Sequence, residues 1–246
     1  NTTTDGITNA GNFSTDSGTI KLDGNYPTGT DNVALGDTAL DSVEAGGTNN
    51  TAIGNHAGTA ITTGDYNTAL GSLSLESNTT AGNNTAIGGA ALRCNTTGCE
   101  NTSVGSGSMA SNTEGDNNVA VGRFALSGNT TADSNTAVGH CSLKANTTGT
   151  LNTAVGVCSS YAMTTGQQNI SMGGNSLLAN TTGSRNSALG QSSLSSNVSG
   201  VDNVAVGHGA LSSNTSDNNV GVGRASLQAN VGGNLNTAVG AFSSRC

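Results

Sequence analysis

Cysteine is the residue type whose spacing in this chain first suggests chemistry. Cys141 and Cys158 lie 17 residues apart, and Cys94 and Cys99 bracket an Asn-Thr-Thr-Gly turn. Thiols that a fold brings close together can form disulfides, so we predict the pairs Cys141 with Cys158 and Cys94 with Cys99. Cys246 is left over, and we expect it to be free or bonded to another subunit. Disulfides would indicate an extracellular setting; the alternative is that all five cysteines are reduced and serve as small apolar residues.

The other residue types that often carry catalysis or bind metals form no recognisable group. His56, His140 and His208 are far apart in the chain, no Asp series has the spacing of a calcium loop, and no Lys-Ser/Thr follows the glycines of residues 105–107 as in a phosphate loop. We therefore expect no catalytic, cofactor or metal site, and we do not expect an enzyme.

Asn-x-Ser/Thr sequons are numerous and could accept glycans. Repeats rich in Asn and Thr also create sequons by chance, and an Asn that faces a protein interior cannot carry a glycan. Asn49 and Asn83 are the better acceptors, because we expect them in turns. The further candidates share one place in the repeat described next: Asn78, Asn129, Asn146, Asn180 and Asn214.

These residues are positioned by a repeat of about 17 residues that runs from Asn32 to the C-terminus. Each unit opens with Asn, which we number position one, and has Gly at position five. One unit has 18 residues and one has 16. Such a short period is typical of a solenoid, in which each coil buries its apolar residues by stacking on its neighbours. The opening residues are Asn32, Asn50, Asn67, Asn84, Asn101, Asn118, Asn135, Asn152, Asn169, Asn186, Asn203, Asn219 and Asn236.

The pattern within the unit predicts a core. Position four is always apolar and position nine is mostly Leu, so we expect both to face inward, with the Ala-rich position three facing outward. Where position nine shrinks to Gly58 or Ser160, position twelve changes from Asn to Ile61 or Met163, which indicates that positions nine and twelve share one interior. The usual Asn at position twelve is predicted to form an internal ladder of side-chain amides. The predicted core ladder contains Val121, Val138, Val155, Val206, Leu126, Leu143, Leu177 and Leu194.

The sequence therefore predicts an all-β parallel β-solenoid, a β-roll of about twelve and a half 17-residue coils with two short strand segments per coil, over residues 32–246. Residues 1–31 do not fit the repeat, and we expect them to form an N-terminal cap or docking segment. Since the chain begins at Asn1 without Met, we expect a mature or excised piece of a longer product.

Composition limits the partners. The chain has seven Lys and Arg residues, which are scattered, and a net charge of −8, so we expect no nucleic-acid binding. No run of about eighteen apolar residues occurs, and we expect no membrane span.

The segments Asn-Thr-Ala-Ile-Gly, Asn-Val-Ala-Val-Gly, Asn-Thr-Ala-Val-Gly and Asn-Ser-Ala-Leu-Gly recur over residues 32–246. They resemble the head repeat of trimeric autotransporter adhesins (the YadA-like family), and the longer unit with Asn-Thr-Thr-Gly resembles repeat regions of phage and virus tail fibres. The resemblance implies left-handed parallel β-rolls that pack as a trimer on a cell or virion surface.

These observations favour a non-catalytic extracellular fibre or adhesin, a rod for surface attachment or display that recognises host matrix or a glycan receptor. One alternative is a spacer subunit that polymerises end to end into filaments. Another is an ice-binding solenoid, because Thr recurs at positions two, thirteen and fourteen. Val33, Val119, Ile170, Val204 and Val220 interrupt the Thr column at position two.

Overall fold

The computed structural model describes residues 31–244, which form one continuous parallel β-solenoid. The predicted fold class is confirmed: the described chain is all-β, and its thirteen strands follow one another in sequence order within a single sheet. The thirty residues that precede Asp31, and with them nearly all of the predicted cap, lie outside the described residues. The strands are β1 Val33–Leu35, β2 Thr51–Ile53, β3 Thr68–Leu70, β4 Thr85–Ile87, β5 Thr102–Val104, β6 Val119–Val121, β7 Thr136–Val138, β8 Thr153–Val155, β9 Ile170–Met172, β10 Ser187–Leu189, β11 Val204–Val206, β12 Val220–Val222 and β13 Thr237–Val239.

Equivalent residues of successive coils lie side by side. Between β6 and β7, for example, Ala120 pairs with Ala137 and Val121 with Val138. The register is kept through the 18-residue and the 16-residue units, where Ala34 pairs with Ala52 and Ala205 pairs with Gly221. The extra and the missing residue are therefore absorbed in the loops between strands.

The prediction of two strand segments per coil is wrong, because each described coil contains one strand of three residues. The rest of the coil turns through left-handed backbone conformations. In the sixth coil, φ is +132° at Gly122, +55° at Phe124 and +51° at Leu126, and every described coil repeats positive φ at positions five, seven and nine. A segment that alternates right-handed and left-handed backbone conformations cannot continue a β-strand. The spacing of apolar residues around position nine did not predict these positive φ values.

The core is made by positions three, eight and nine. Leu126, Leu143, Leu177 and Leu194 are fully buried, as predicted. Position three is buried in nearly every coil, for example Ala120 and Ala137 at 0% exposure, so the expected outward Ala stripe instead faces inward. In a three-residue strand the middle side chain points opposite to its two neighbours, and the interior is narrow enough to accept only Ala, Ser or Gly there.

Position four is correspondingly outside. The predicted core residues Val121 and Val206 are both 36% exposed, and Val138 and Val155 are half-buried on the outer face of the sheet. The assignment of these four residues to the core ladder is therefore wrong. Because the side chains of a strand alternate with a period of two, placing Ala inside puts the aliphatic residue at position four outside.

Two ladders of buried Asn side chains run along the rod. At position twelve, Nδ2 of Asn129 donates to Oδ1 of Asn112 at 2.7 Å and to the carbonyl of Ala132 at 2.9 Å, which confirms the predicted ladder. At position one, Oδ1 of Asn118 accepts from the backbone N–H of Asn135 at 2.9 Å, and its Nδ2 donates to the same Ala132 carbonyl at 2.8 Å. This second ladder was not predicted. Together they satisfy polar groups that a solenoid of this narrow section must bury.

Positions nine and twelve exchange volume as predicted. A Cβ added at Gly58 would lie 3.0 Å from Cδ1 of Ile61 and 3.1 Å from Cδ2 of Leu40, so Ile61 occupies the space that Leu fills at position nine elsewhere. Ile61 and Met163 are both fully buried. In these two coils a larger residue at position twelve thus accompanies a smaller residue at position nine.

Candidate interaction surface

The outer face of the thirteen-stranded sheet is the most distinctive surface of the described chain. It carries the side chains of positions two and four, which we call the outer stripe. Position two contributes Val33, Thr51, Thr68, Thr85, Thr102, Val119, Thr136, Thr153, Ile170, Ser187, Val204, Val220 and Thr237; position four contributes Leu35, Ile53, Leu70, Ile87, Val104, Val121, Val138, Val155, Met172, Leu189, Val206, Val222 and Val239.

The outer stripe is uncharged along its whole length, and its position-four row is apolar in every coil. Position four is aliphatic or Met in every coil, and Leu70, Met172 and Leu189 are 42%, 43% and 37% exposed. No Asp, Glu, Lys or Arg stands at either position of the stripe, although the chain has 22 such residues elsewhere. A continuous exposed apolar row of this length, with no charged residue beside it, is typical of an interface.

The stripe is long enough for a stable protein contact. Twelve steps of about 4.8 Å and a width of roughly 10 Å give about 600 Å² on each rod, or about 1,200 Å² for two opposed stripes, which is at the lower end of specific interfaces. Because the strands are in register, the aliphatic side chains form a straight row with a constant repeat. A second copy of the chain presents the same repeat, so two stripes can match along their full length.

The described cysteines form no disulfide, so the structure supports neither predicted pair. Cys94, Cys99, Cys141 and Cys158 are free. Cys141 is 6% exposed, and its thiol lies 3.5 Å from Nε2 of His140. The Cys99 thiol lies 3.4 Å from the carbonyl oxygen of Thr97. Cys141 and Cys158 do occupy equivalent places on consecutive coils, as their spacing predicted. Cys246 lies outside the described residues.

The structure divides the glycosylation candidates into two groups. Asn49 and Asn83 are exposed in turns, which leaves their amides accessible. The other candidates belong to the position-twelve ladder and are fully buried with their amides hydrogen-bonded, so the prediction that they accept glycans is wrong for Asn78, Asn129, Asn146, Asn180 and Asn214.

Residues able to hold a metal ion do not gather anywhere in residues 31–244: no three His, Cys, Asp or Glu side chains share a possible site. Nδ1 of His56 instead lies 3.1 Å from the Thr38 hydroxyl.

Within the same range no helix is long and apolar enough to cross a membrane. An open cavity at the last coil is lined by Leu227, Asn230, Asn236 and neighbouring residues, none of them titratable.

Comparison with known proteins adds no assignment, since no protein family, curated protein or solved structure matches the chain. The interaction surface therefore stands on its own geometry. Sequence reasoning placed it on the wrong side of the sheet, although a signal was present: position three accepts only Ala, Ser or Gly, whereas position four accepts Val, Ile, Leu and Met. A position that accepts only small side chains, such as position three, indicates a confined interior. A position that accepts aliphatic side chains of different shapes, such as position four, indicates an open face.

Proposed function

We propose that the chain is a non-catalytic structural rod of an extracellular fibre or adhesin, on a cell or virion surface, whose copies pack side by side through the outer stripe. The observation that supports this most is the stripe itself: an uncharged face with an unbroken aliphatic or Met row, which stays partly or fully exposed on all thirteen coils within residues 31–244. Burying it against other copies would supply free energy that a single thin rod lacks, since apolar burial contributes about 25 cal/mol per Å². The role of the assembled rod is attachment or display, including recognition of host matrix or a glycan receptor.

Repetition of the ladders supports a mechanical role. Coils with Asn at positions one and twelve and Thr at position thirteen make the same hydrogen bonds to the next coil, from the strands, the two Asn columns and the Thr column. In the Thr column, for example, Oγ1 of Thr113 donates to the carbonyl of Thr130 at 3.1 Å. Stability in such a stack is a sum of nearest-neighbour terms, so length can be changed by adding coils without redesigning the fold. That property suits a spacer or display rod.

The alternative of ice binding is less well supported by the geometry. The position-thirteen hydroxyls are committed to the neighbouring coil, as for Thr130 and Thr147, whose Oγ1 atoms donate to carbonyls at 3.1 Å. The Thr column at position two is interrupted by aliphatic residues and lies beside the apolar row of position four. A regular two-column array of free hydroxyls is therefore missing from these columns.

The native mass and shape of the purified chain test the proposal. We expect light scattering to give a discrete oligomer, and negative-stain images to show a rod about 60 Å long for thirteen coils. A trimer would agree with the adhesin resemblance. Long filaments with an axial repeat near that length would favour end-to-end polymerisation instead, a strictly monomeric chain at about 100 µM would overturn lateral packing, and thermal hysteresis would support ice binding.

A further inference from the structure

A basic and aromatic patch lies on the sixth to eighth coils, beyond the glycine that ends each strand. It consists of Arg123, Phe124, His140, Lys144 and Tyr161. Arg123 and His140 hold position six on consecutive coils, and Lys144 and Tyr161 hold position ten on consecutive coils, as the backbone hydrogen bonds from the N–H of Cys141 to the carbonyl of Arg123 and from the N–H of Ala145 to the carbonyl of Tyr161 show. The surface around it is mostly Ser, Thr, Asn, Ala and Gly.

The cations of the patch are held over aromatic rings. The guanidinium carbon of Arg123 is 4.3 Å from the centroid of the Phe124 ring, and Nζ of Lys144 is 5.7 Å from the same centroid. Nζ of Lys144 is also 5.4 Å from the Tyr161 centroid and donates to the Tyr161 hydroxyl at 3.5 Å. These contacts limit the freedom of both long side chains before any ligand arrives, which lowers the entropic cost of binding.

The ring of Phe124 is fixed by the coil before it. A Cβ added at Gly107 would lie 2.7 Å from Cδ1 of Phe124, so the ring packs directly over a backbone position that has no side chain. Phe124 stays half-buried and Tyr161 is 37% exposed. The patch therefore offers rigid aromatic surface beside two cations.

The positive charge of the patch is not neutralised. In residues 31–244 the ion pairs are Arg93 with Glu76 at 3.8 Å and Arg185 with Asp202 at 2.7 Å, and neither Arg123 nor Lys144 forms one. The chain as a whole carries a net charge of −8. Two cations that share an aromatic ring and lack a carboxylate partner, in an acidic protein, are available for an anion from outside.

The combination points to an acidic carbohydrate. An inorganic anion would make no use of the aromatic rings, and a neutral sugar would make no use of the unpaired cations. A nucleic acid needs a track of Lys and Arg along its phosphates, and this patch has two such residues. A sugar ring offers an apolar C–H face to Phe124 or Tyr161, and its carboxylate or sulfate can bind Arg123 and Lys144.

We propose that this patch binds an acidic glycan, with carboxylate or sulfate as the recognised group. The proposal rests on the function argued above, since it names the ligand class through which the rod attaches. Residues 31–244 of each chain contain one patch of this composition, and lateral packing through the outer stripe would present several on one particle. Weak individual sites can then give strong attachment.

Calorimetric titration of the full chain with three probes tests the proposal: a sulfated heparin hexasaccharide, sialyllactose and neutral lactose. We expect one of the two acidic probes to bind at least tenfold more tightly than lactose, and the preferred one identifies the group as sulfate or carboxylate. Lys144→Gln and Tyr161→Ser should each weaken that binding about tenfold. Both replacements occur naturally at position ten, as Gln228 and Ser127.

Arg185→Gln is the matched control, since it also removes one exposed positive charge and Gln168 holds the same place one coil earlier. Arg185 is hydrogen-bonded to Asp202, which lowers the pKa of that carboxyl, so this cation is already paired at neutral pH. If Arg185→Gln loses as much affinity for the acidic probe as Lys144→Gln does, or if Tyr161→Ser loses none, the binding is charge attraction alone and the proposed site is overturned. Absence of binding to both acidic probes would also overturn it. Light scattering on the same samples reports the oligomer, so failure of the glycan site is separable from failure of the rod assembly.

Discussion

Oδ1 of Asn146 has no hydrogen-bond donor because the residue at the same position of the next coil is Met163 instead of Asn. Elsewhere in this ladder the next Asn supplies the donor, as Asn129 does for Asn112. The other orphaned oxygen of the ladder among the described residues is Oδ1 of Asn197, which lies below the 16-residue coil. There Nδ2 of Asn214 donates to the carbonyl of Ser216 instead. Each unsatisfied oxygen of the ladder among the described residues thus lies next to an irregular unit of the sequence.

Completing the ladder should stabilise the rod. The double substitution Ser160→Leu with Met163→Asn restores the usual residues at positions nine and twelve, and the new amide would lie where it can donate to Oδ1 of Asn146. A buried acceptor without a partner costs about 1 to 3 kcal/mol, so we expect the free energy of unfolding to rise by about 1 kcal/mol. Urea denaturation followed by circular dichroism measures the change.

The control for this repair is Gly58→Leu with Ile61→Asn, which makes the same kind of exchange in the second coil. The preceding coil has Val43 at position twelve, so it contains no amide oxygen at that position that lacks a hydrogen-bond donor. We expect no comparable gain. An equal gain in both variants would mean that packing at position nine, and not the ladder, is responsible.

The glycine at position five is required both by conformation and by space. Gly139 has φ of +128°, and an added Cβ would lie 2.6 Å from the carbonyl oxygen of Gly156 on the next coil. Gly139→Ala should therefore lower the free energy of unfolding by about 3 kcal/mol, through backbone strain together with separation of the two coils. Thermal or urea unfolding gives the value.

Gly89→Ala is the corresponding control, because Gly89 follows a position-five glycine but has ordinary φ. The nearest atom to its added Cβ is the carbonyl oxygen of Ser72 at 3.9 Å. This variant should stay within about 0.5 kcal/mol of the parent chain. A loss similar to that of Gly139→Ala would contradict the close-approach argument.

Thiol reactivity distinguishes the free cysteines of the structure from the disulfides that spacing predicted. Cys141 is 6% exposed, whereas Cys94, Cys99 and Cys158 are half-buried. In the native chain without reductant, we expect those three to react with a maleimide and Cys141 to react only after unfolding. Peptide mass spectrometry assigns each site, and Cys141→Ser is the control for the protected one. If Cys141 and Cys158 are both blocked until a reductant is added, they are joined in the purified protein.

The sequence correctly predicted the features that follow from the 17-residue period. It did not predict which side of the sheet each strand side chain faces. The register of the coils and the burial of Leu126 follow from period alone. The pairing of a small residue, Gly58, with a large one, Ile61, was predicted from side-chain volume, because two positions whose sizes compensate must share one interior. The direction of Ala120 and Val121 could not be read from hydrophobicity, since both are apolar and a three-residue strand is too short to show an alternation.

Charge on the outer stripe should separate the copies of the rod. Val121→Glu with Val206→Glu places two carboxylates on exposed stripe residues, and a self-association that opposes stripe to stripe would bring like charges together and bury them. We expect light scattering to report a single chain with unchanged circular dichroism. Val157→Glu with Val198→Glu adds the same two charges at positions six and thirteen, where the side chains are 56% and 47% exposed. That control should keep the parent oligomer. If both double variants dissociate, net charge governs association; if neither does, the interface lies on another face of the solenoid.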